Sequence, residues 1–262
     1  MVPGFLSLKI GGSLFSAKNV PGSLDTAKVE AFSKRCADLA VRHPGKVALI
    51  TGGGAFGHGA IRDRPASGRL SLAGLTHATF TVKWAWVEAL ARVGAEAFPL
   101  QLSAMCLAAG DGFRVQSQVL ESFLGHGILP VLAGDCLLTE EGEVKAVSSD
   151  RVPEILLAAV PRPTRVVVLT DVPGILRGGH ANGEVIREVD ARNPESVYRE
   201  LWTRGEWDST GAMHEKFGAL VACALLGAEC FIMRIDPYVQ DLDFLFAPLE
   251  DWPDGLPYTR IA

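Results

Sequence analysis

No stretch of the chain approaches the roughly 18 apolar residues that a membrane-spanning helix needs, and the N-terminus, MVPGFLSLKIGGSLF, has neither a basic start nor a long apolar region. Insertion and secretion are therefore not expected, and a cytoplasmic location is. Cysteines at metal or redox spacing are missing as well. Cys36, Cys106, Cys136, Cys223 and Cys230 are odd in number, include no C-x-x-C and mostly sit among apolar neighbours, so they read as reduced core residues. Positive charge is in short supply: 25 Lys and Arg against 30 Asp and Glu leave a formal net charge of -5. That balance disfavours nucleic acid or an anionic membrane surface as the main partner, and an anionic ligand would have to be met by cations gathered locally. No carboxylates stand at a clear metal-ligand spacing, so no protein metal site is expected.

The chain does have apolar segments broken by glycine. Its 262 residues, 48% of them hydrophobic and 21% charged, suffice for one large α/β domain or two small ones. The densest signal is VALITGGGAFGHGAIRD, from Val47 to Asp63. Val47 to Ile50 has the length and β-branched content of a buried strand, and Gly52 to Gly54 then bares the backbone so that N–H groups can converge on an anion. His58 follows in the same loop and can donate hydrogen bonds to phosphate or phosphonate oxygens. Gly52, Gly54 and Gly57 also satisfy G-x-G-x-x-G, the dinucleotide fingerprint. That motif needs a helix at once and an acidic residue about 20 positions on. Here Gly59, Pro65 and Gly68 break the helical pattern, and LSLAGLTHATF, from Leu70 to Phe80, ends in no acid.

A second loop of the same kind follows the alternating Phe5 to Ile10, where Gly11, Gly12 and Ser13 end the strand. Lys9 near the end of that strand is costly to bury unless it meets an anion, the alternative being a solvent-reaching edge residue. Lys18 lies beyond the loop, either within reach of the same ligand or on the surface. Helical spacing covers Leu24 to Val41, with Ser23 or Asp25 as cap and Pro44-Gly45 as terminator, and again Leu72 to Val93. Trp84 and Trp86 cannot share one narrow helical face, so one of them either meets a partner subunit, covers substrate or stays half-buried. Phe98 to Leu102, Ile128 to Ala133, Val166 to Thr170 and Cys230 to Arg234 read as strands, with a helix over Val115 to Gly125. A hairpin turning at Gly142 delivers Ser148, Ser149 and Asp150 to the start of the next helix, as a cap or as donors to a substrate. Thr170, Asp171 and Gly174 follow a strand at the end where open α/β sheets bind ligands. Asp208, Thr210, Gly211 and Lys216 enter the last long helix, and the Pro-containing tail offers little further pattern.

In this order KIGGSL, GGGAFGH, SSD, LTDVPGI and DSTGAMHEK resemble the amino acid kinase family across nearly the whole chain. GGGAFGH is similar to the branch that holds isopentenyl phosphate kinase and fosfomycin kinase, and GGGAFGHGAIRD, LAGLTHATF, SSDRVPE and GAECFIMR are most similar to the fosfomycin kinases. The resemblance implies a three-layer αβα sandwich over residues 1–262 with a mostly parallel sheet, acceptor in the N-terminal part and nucleotide in the C-terminal part, and pairing of two chains. It implies transfer of the γ-phosphoryl group of ATP, with Mg²⁺ held mainly by the phosphates, to a fosfomycin-type phosphonate, or alternatively to isopentenyl phosphate or another small phosphate. On these positions Lys9 and Lys216 would meet the β- and γ-phosphates, Lys18 the transferring group, and Asp150 and Asp208 would orient the lysines. His58, Gly53, Ser148, Ser149 and Thr210 would hold the acceptor; Gly11, Gly12, Ser13, Gly54, Thr170, Asp171, Gly174 and Gly211 would border the nucleotide. Ser149 and Ala212 stand where isopentenyl phosphate kinases tend to have glycine, which favours a small polar acceptor.

Overall fold

In the computed structural model the described residues are 2–17, 20, 22–62, 72–179, 183–202 and 212–262. The chain opens with β1 (Phe5–Ile10), α1 (Thr26–Arg42), β2 (Val47–Thr51), α2 (Gly54–Arg62), α3 (Ala73–Arg92) and β3 (Ala97–Pro99). A hairpin of β4 (Cys106–Ala109) and β5 (Gly112–Val115), then α4 (Ser117–Gly125), β6 (Leu129–Ala133) and a second hairpin of β7 (Asp135–Leu138) and β8 (Val144–Val147) follow. The remainder is α5 (Val152–Ala159), β9 (Thr164–Leu169), β10 (Glu188–Val189), α6 (Glu195–Trp202), α7 (Ala212–Leu225), β11 (Glu229–Met233) and β12 (Tyr258–Ile261).

Among the described residues eight strands form one sheet in the order β10-β12-β11-β9-β1-β2-β6-β3, and only the β11–β12 pairing is antiparallel. β1 is central and buried along its whole length. Alternate side chains of a strand point to opposite faces, and the core divides accordingly. Leu6, Leu8 and Ile10 pack with Phe32 and Leu39 of α1 and Val82 and Trp86 of α3. Phe5 packs on the other face with Leu120 and Leu124 of α4 and Ile155 and Leu156 of α5, while Phe217 and Leu220 of α7 pack with Val166 and Val168 of β9 and Cys230 and Ile232 of β11. These layers make a three-layer αβα sandwich around a mostly parallel sheet, as expected. Each fully buried Leu, Ile or Phe contributes about 1.5–3 kcal/mol, so interior strands need few other local signals to hold their place.

Lys9 lies on the Phe5 face of β1 and is 1% exposed, so the solvent-reaching alternative is excluded. Asp25 rather than Ser23 caps α1, accepting from Lys28 N–H at 3.1 Å. Trp86 is fully buried against Phe15, while Trp84 is 46% exposed and stacks on Phe80. All five cysteines are free and buried. Several expectations need correction. His58 stands on a helix that opens at Gly54 rather than in a loop, because Gly54 turns the chain at φ +50° and α2 packs along α3. The strand expected from Phe98 to Leu102 stops at Pro99 on the sheet edge, and Leu102 enters a 3₁₀ turn. The expected helix from Val115 begins at Ser117, since Val115 pairs with Cys106 across the first hairpin. The C-terminal tail returns to the sheet as β12, with Cys230 opposite Ile261.

Candidate active site

Parallel pairing brings the C-terminal ends of β9, β1, β2 and β6 side by side, and the glycine loops leave from those ends. Gly11 N–H donates to Leu169 O at 2.8 Å and Gly52 N–H to Ile10 O at 2.8 Å, which welds each loop to the neighbouring strand. The loops approach so closely that a Cβ on Gly12 would stand 2.6 Å from the Gly54 nitrogen and 2.7 Å from its Cα. A Cβ on Gly54 would meet Ser16 Oγ at 2.8 Å. Ser16 Oγ accepts the Ala55 N–H at 2.8 Å and donates to Ser23 O at 2.8 Å, so it fixes the first turn of α2. Ser16 escaped sequence reasoning; its only signal was a hydroxyl close behind the first glycine loop.

These loops border a cleft of about 810 Å³. It brings together Lys9, Gly11, Gly12, Ser13, Gly53, Gly54, Ser148, Ser149, Asp150, Thr170, Asp171 and Lys216, residues spread through nearly the whole sequence. At its centre Lys9 Nζ lies 2.5 Å and Lys216 Nζ 2.9 Å from the same oxygen of Asp150, Oδ1. The two lysines are 1% and 9% exposed, so water does little to screen them. Burial pushes Lys9 down to about 7; Asp150 pulls it back up and Lys216 adds to the fall. Burial alone would raise the Asp150 carboxyl, but the two ammonium groups outweigh it and hold Asp150 well below the ordinary carboxylate range. The result is two lysines around one anion, facing a bare glycine cradle, and an incoming polyanion would favour the protonated form of Lys9 as well as Lys216.

The opposite wall comes from the second hairpin. Ser148 Oγ accepts the Asp150 N–H at 3.2 Å, so the cap and the placement of Asp150 are one feature. A Cβ on Gly134 would meet Val147 O at 2.7 Å and Ser149 N at 2.9 Å, which holds this loop against the end of β6. Asp171 Oδ1 accepts from Ser13 Oγ at 2.9 Å and Thr170 Oγ1 at 3.0 Å, tying the first glycine loop to the loop after β9. Gly174 is not brought to the cleft; it packs against Thr259, whose Oγ1 accepts the Ile175 N–H at 2.7 Å. His58 has its backbone on α2, but its side chain lies outside the described residues, as do Lys18, Asp208, Thr210 and Gly211. Leu75, Thr79, Gly134 and Tyr198 also line the cleft and were missed. Only the Gly134-Asp135 pair directly after a strand offered a hint. Among the described residues no three His, Cys, Asp or Glu side chains gather as metal ligands.

The fold is an α/β sandwich whose cleft suits a polyanion, and comparison with known proteins gives its family. The profile of the amino acid kinase family matches residues 7–234, and the chain belongs to that family. Isopentenyl phosphate kinase of Haloferax volcanii is 29% identical over 232 residues, covering 86% of this chain and 89% of that protein. Isopentenyl phosphate kinase of Methanocaldococcus jannaschii is 23% identical over 223 residues, covering 80% and 84%. An X-ray structure of isopentenyl phosphate kinase superposes with a TM-score of 0.75 at 21% identity, covering 98% of this chain and 100% of that one, a likeness of fold.

Proposed function

We propose that the protein transfers the γ-phosphoryl group of ATP to an oxygen already bonded to phosphorus on a small acceptor, with isopentenyl phosphate the acceptor best supported by its relatives. The observation that carries the reading is the convergence of Lys9 and Lys216 on Asp150 Oδ1 at the mouth of two interlocked glycine loops. A phosphate or phosphonate oxygen is ionised at neutral pH, so no strong general base is needed; the difficulty is bringing two anions into line. Lys9 and Lys216 would spread the charge of the β- and γ-phosphates, with Asp150 fixing where both ammonium groups point. Gly11, Gly12, Ser13, Gly54 and Gly211 would border the phosphates, and Thr170, Asp171 and Gly174 would lie toward or behind the nucleoside. Both glycine loops border the cleft, and a Cβ at Gly12 would strike Gly54 and force them apart, so bare backbone there keeps the cradle in shape for phosphates. Mg²⁺ would ride on the phosphates and neutralise part of their charge. Lys18 is assigned to the transferring group and Asp208 to orienting lysine.

Acceptor binding is assigned to Gly53, His58, Ser148, Ser149 and Thr210, in the N-terminal part and the hairpin loop, and nucleotide binding to the C-terminal part. Residues 1–262 would act as one kinase unit in the cytoplasm. Two chains would pair, with the exposed Phe80–Trp84 stack of α3 offering apolar surface. A second reading places the phosphonate of fosfomycin in the same site. It is favoured by Ser149 and Ala212 in place of glycine and by Thr79 in the cleft wall. Initial rates of ADP release with isopentenyl phosphate, fosfomycin and N-acetylglutamate test the proposal. Turnover on one of the first two supports it, and turnover confined to the carboxylate acceptor overturns it.

A further inference from the structure

Beneath the acceptor side of the cleft lies a polar cluster to which no step of phosphoryl transfer gives a role. Asp135 and Lys83 are each 1% exposed. Asp135 Oδ1 accepts from Thr76 Oγ1 and from Cys136 N–H, each at 2.8 Å; Oδ2 accepts from Gln101 Nε2 at 2.6 Å and Ser103 N–H at 2.8 Å. Lys83 Nζ donates to Gln101 Oε1 at 2.6 Å and Leu100 O at 2.7 Å, so Gln101 relays a buried cation to a buried anion. Burial pushes Lys83 down to about 8, with Asp135 opposing the fall. Charged groups so deeply buried are costly, and nothing in ordinary core packing requires them.

Two elements meet at this carboxylate. Thr76 belongs to the first turns of α3, whose neighbours Leu75 and Thr79 line the cleft. Asp135 itself starts β7 and pairs with Val147, the residue directly before Ser148-Ser149-Asp150, while Gly134 stacks on the backbone of that loop. We propose that Asp135, backed through Gln101 by Lys83, is a positioning residue that locks the Ser148-Ser149 segment and the α3 wall into one acceptor-binding geometry, Asp150 being held separately by Lys9 and Lys216. The inference rests on the reading that the acceptor is held at this side of the cleft.

Asp135→Asn, Thr76→Val and the double variant Lys83→Met/Asp135→Asn test it. In Asp135→Asn an amide NH₂ faces the donors of Gln101 and Ser103, and the Lys83 ammonium loses its counter-charge. In the double variant the ammonium is gone. Gln101 can then turn its amide, accepting from Asn at 135 and donating to Leu100 O, so most of the loss should be recovered. With isopentenyl phosphate and fosfomycin each as acceptor, Asp135→Asn should lower acceptor kcat/KM about ten- to a hundred-fold, the scale of misplacing a bound reactant, with KM for ATP held within about two-fold. Thr76→Val, which removes only the α3 arm, should show a smaller loss of the same kind and guards against a misfolded Asp135→Asn. Hydrogen–deuterium exchange of unliganded protein should quicken in residues 73–79 and 144–150 in the single variants and slow again in the double. Unchanged acceptor kinetics with unchanged exchange overturns the inference, and so does a rise in KM for ATP that matches the acceptor's. If the wild type transfers to neither acceptor, the reading of the reaction falls instead, and exchange alone then decides the positioning role.

Discussion

Replacing Asp150 with asparagine keeps the side chain's size and removes only the charge that two lysines share. Lys9 Nζ and Lys216 Nζ lie 2.5 and 2.9 Å from the same carboxylate oxygen, so the variant would leave two ammonium groups converging without a counter-ion. Lys9 is already pushed by burial to about 7 from its ordinary 10.5, even with Asp150 pulling the other way. That fall corresponds to about 5 kcal/mol against the ammonium form. Without the carboxylate it deepens, and at about pH 7.5 the free variant enters the reaction with Lys9 neutral. Loss of one electrostatic stabiliser typically costs about a hundred- to a thousand-fold, so kcat/KM for ATP should drop by that factor at about pH 7.5. Because kcat/KM reports the free enzyme, the wild-type profile should fall as pH rises through about 7, and the variant's fall should begin at lower pH. The deficit should therefore shrink toward about pH 6, as Lys9 regains its proton. Coupled ADP-release rates at ATP well below KM, taken across this range, provide the measurement. A wild-type value for Asp150→Asn, or a deficit of constant size at every pH, would refute the shared-carboxylate account.

Lys216→Ala should lower kcat by about two orders of magnitude or more while the fold persists, checked by steady-state rates beside circular dichroism; near-normal kcat would remove Lys216 from the chemistry. Gly12→Ala should abolish nucleotide binding or folding, because its Cβ would stand 2.6 Å from the Gly54 nitrogen, whereas Gly57→Ala meets nothing within 4 Å on α2 and should keep or raise Tm, a helical Gly-to-Ala change being worth up to about 1 kcal/mol. Lys9 also sets a pH dependence of stability. Its folded pKa is depressed, so between about 7 and the unfolded 10.5 the unfolded chain binds more protons and stability should rise with pH. Thermal melts at about pH 7 and about pH 9 should show that rise in the wild type and a smaller one in Lys9→Met; identical slopes would contradict the buried, depressed lysine.

The parallel sheet was legible because its interior strands are short apolar runs between turn residues, as VVVLT between Pro163 and Pro173-Gly174 and VALIT between Gly45 and Gly52 show. The glycine loops and Lys9 were legible for a related reason: bare backbone and a lysine in a core strand are both costly without a use. What escaped was whatever depends on contacts between distant segments. The helix at Gly54 forms although glycine is a poor helix former, because α3 and Ser16 supply what propensity does not. β12 is four residues after an approach through Pro253 and Pro257, and pairing with Cys230 to Met233 on one side and Glu188-Val189 on the other makes it a strand. Asp135 and Lys83 are 52 positions apart and looked like unrelated polar residues until Gln101 and Thr76 joined them. Val115 went to the wrong element because its apolar side chain suits a strand edge and a helix start equally well.

Phosphorus NMR of the protein with MgATP and, in separate samples, isopentenyl phosphate and fosfomycin tests the central claim most directly. A phosphorus-to-phosphorus linkage splits both resonances. The account predicts a new pair of coupled doublets from one acceptor, growing as ATP is converted to ADP and absent with Asp150→Asn on the same timescale. Conversion of ATP to ADP and inorganic phosphate alone, with both acceptor signals left as singlets, would contradict it.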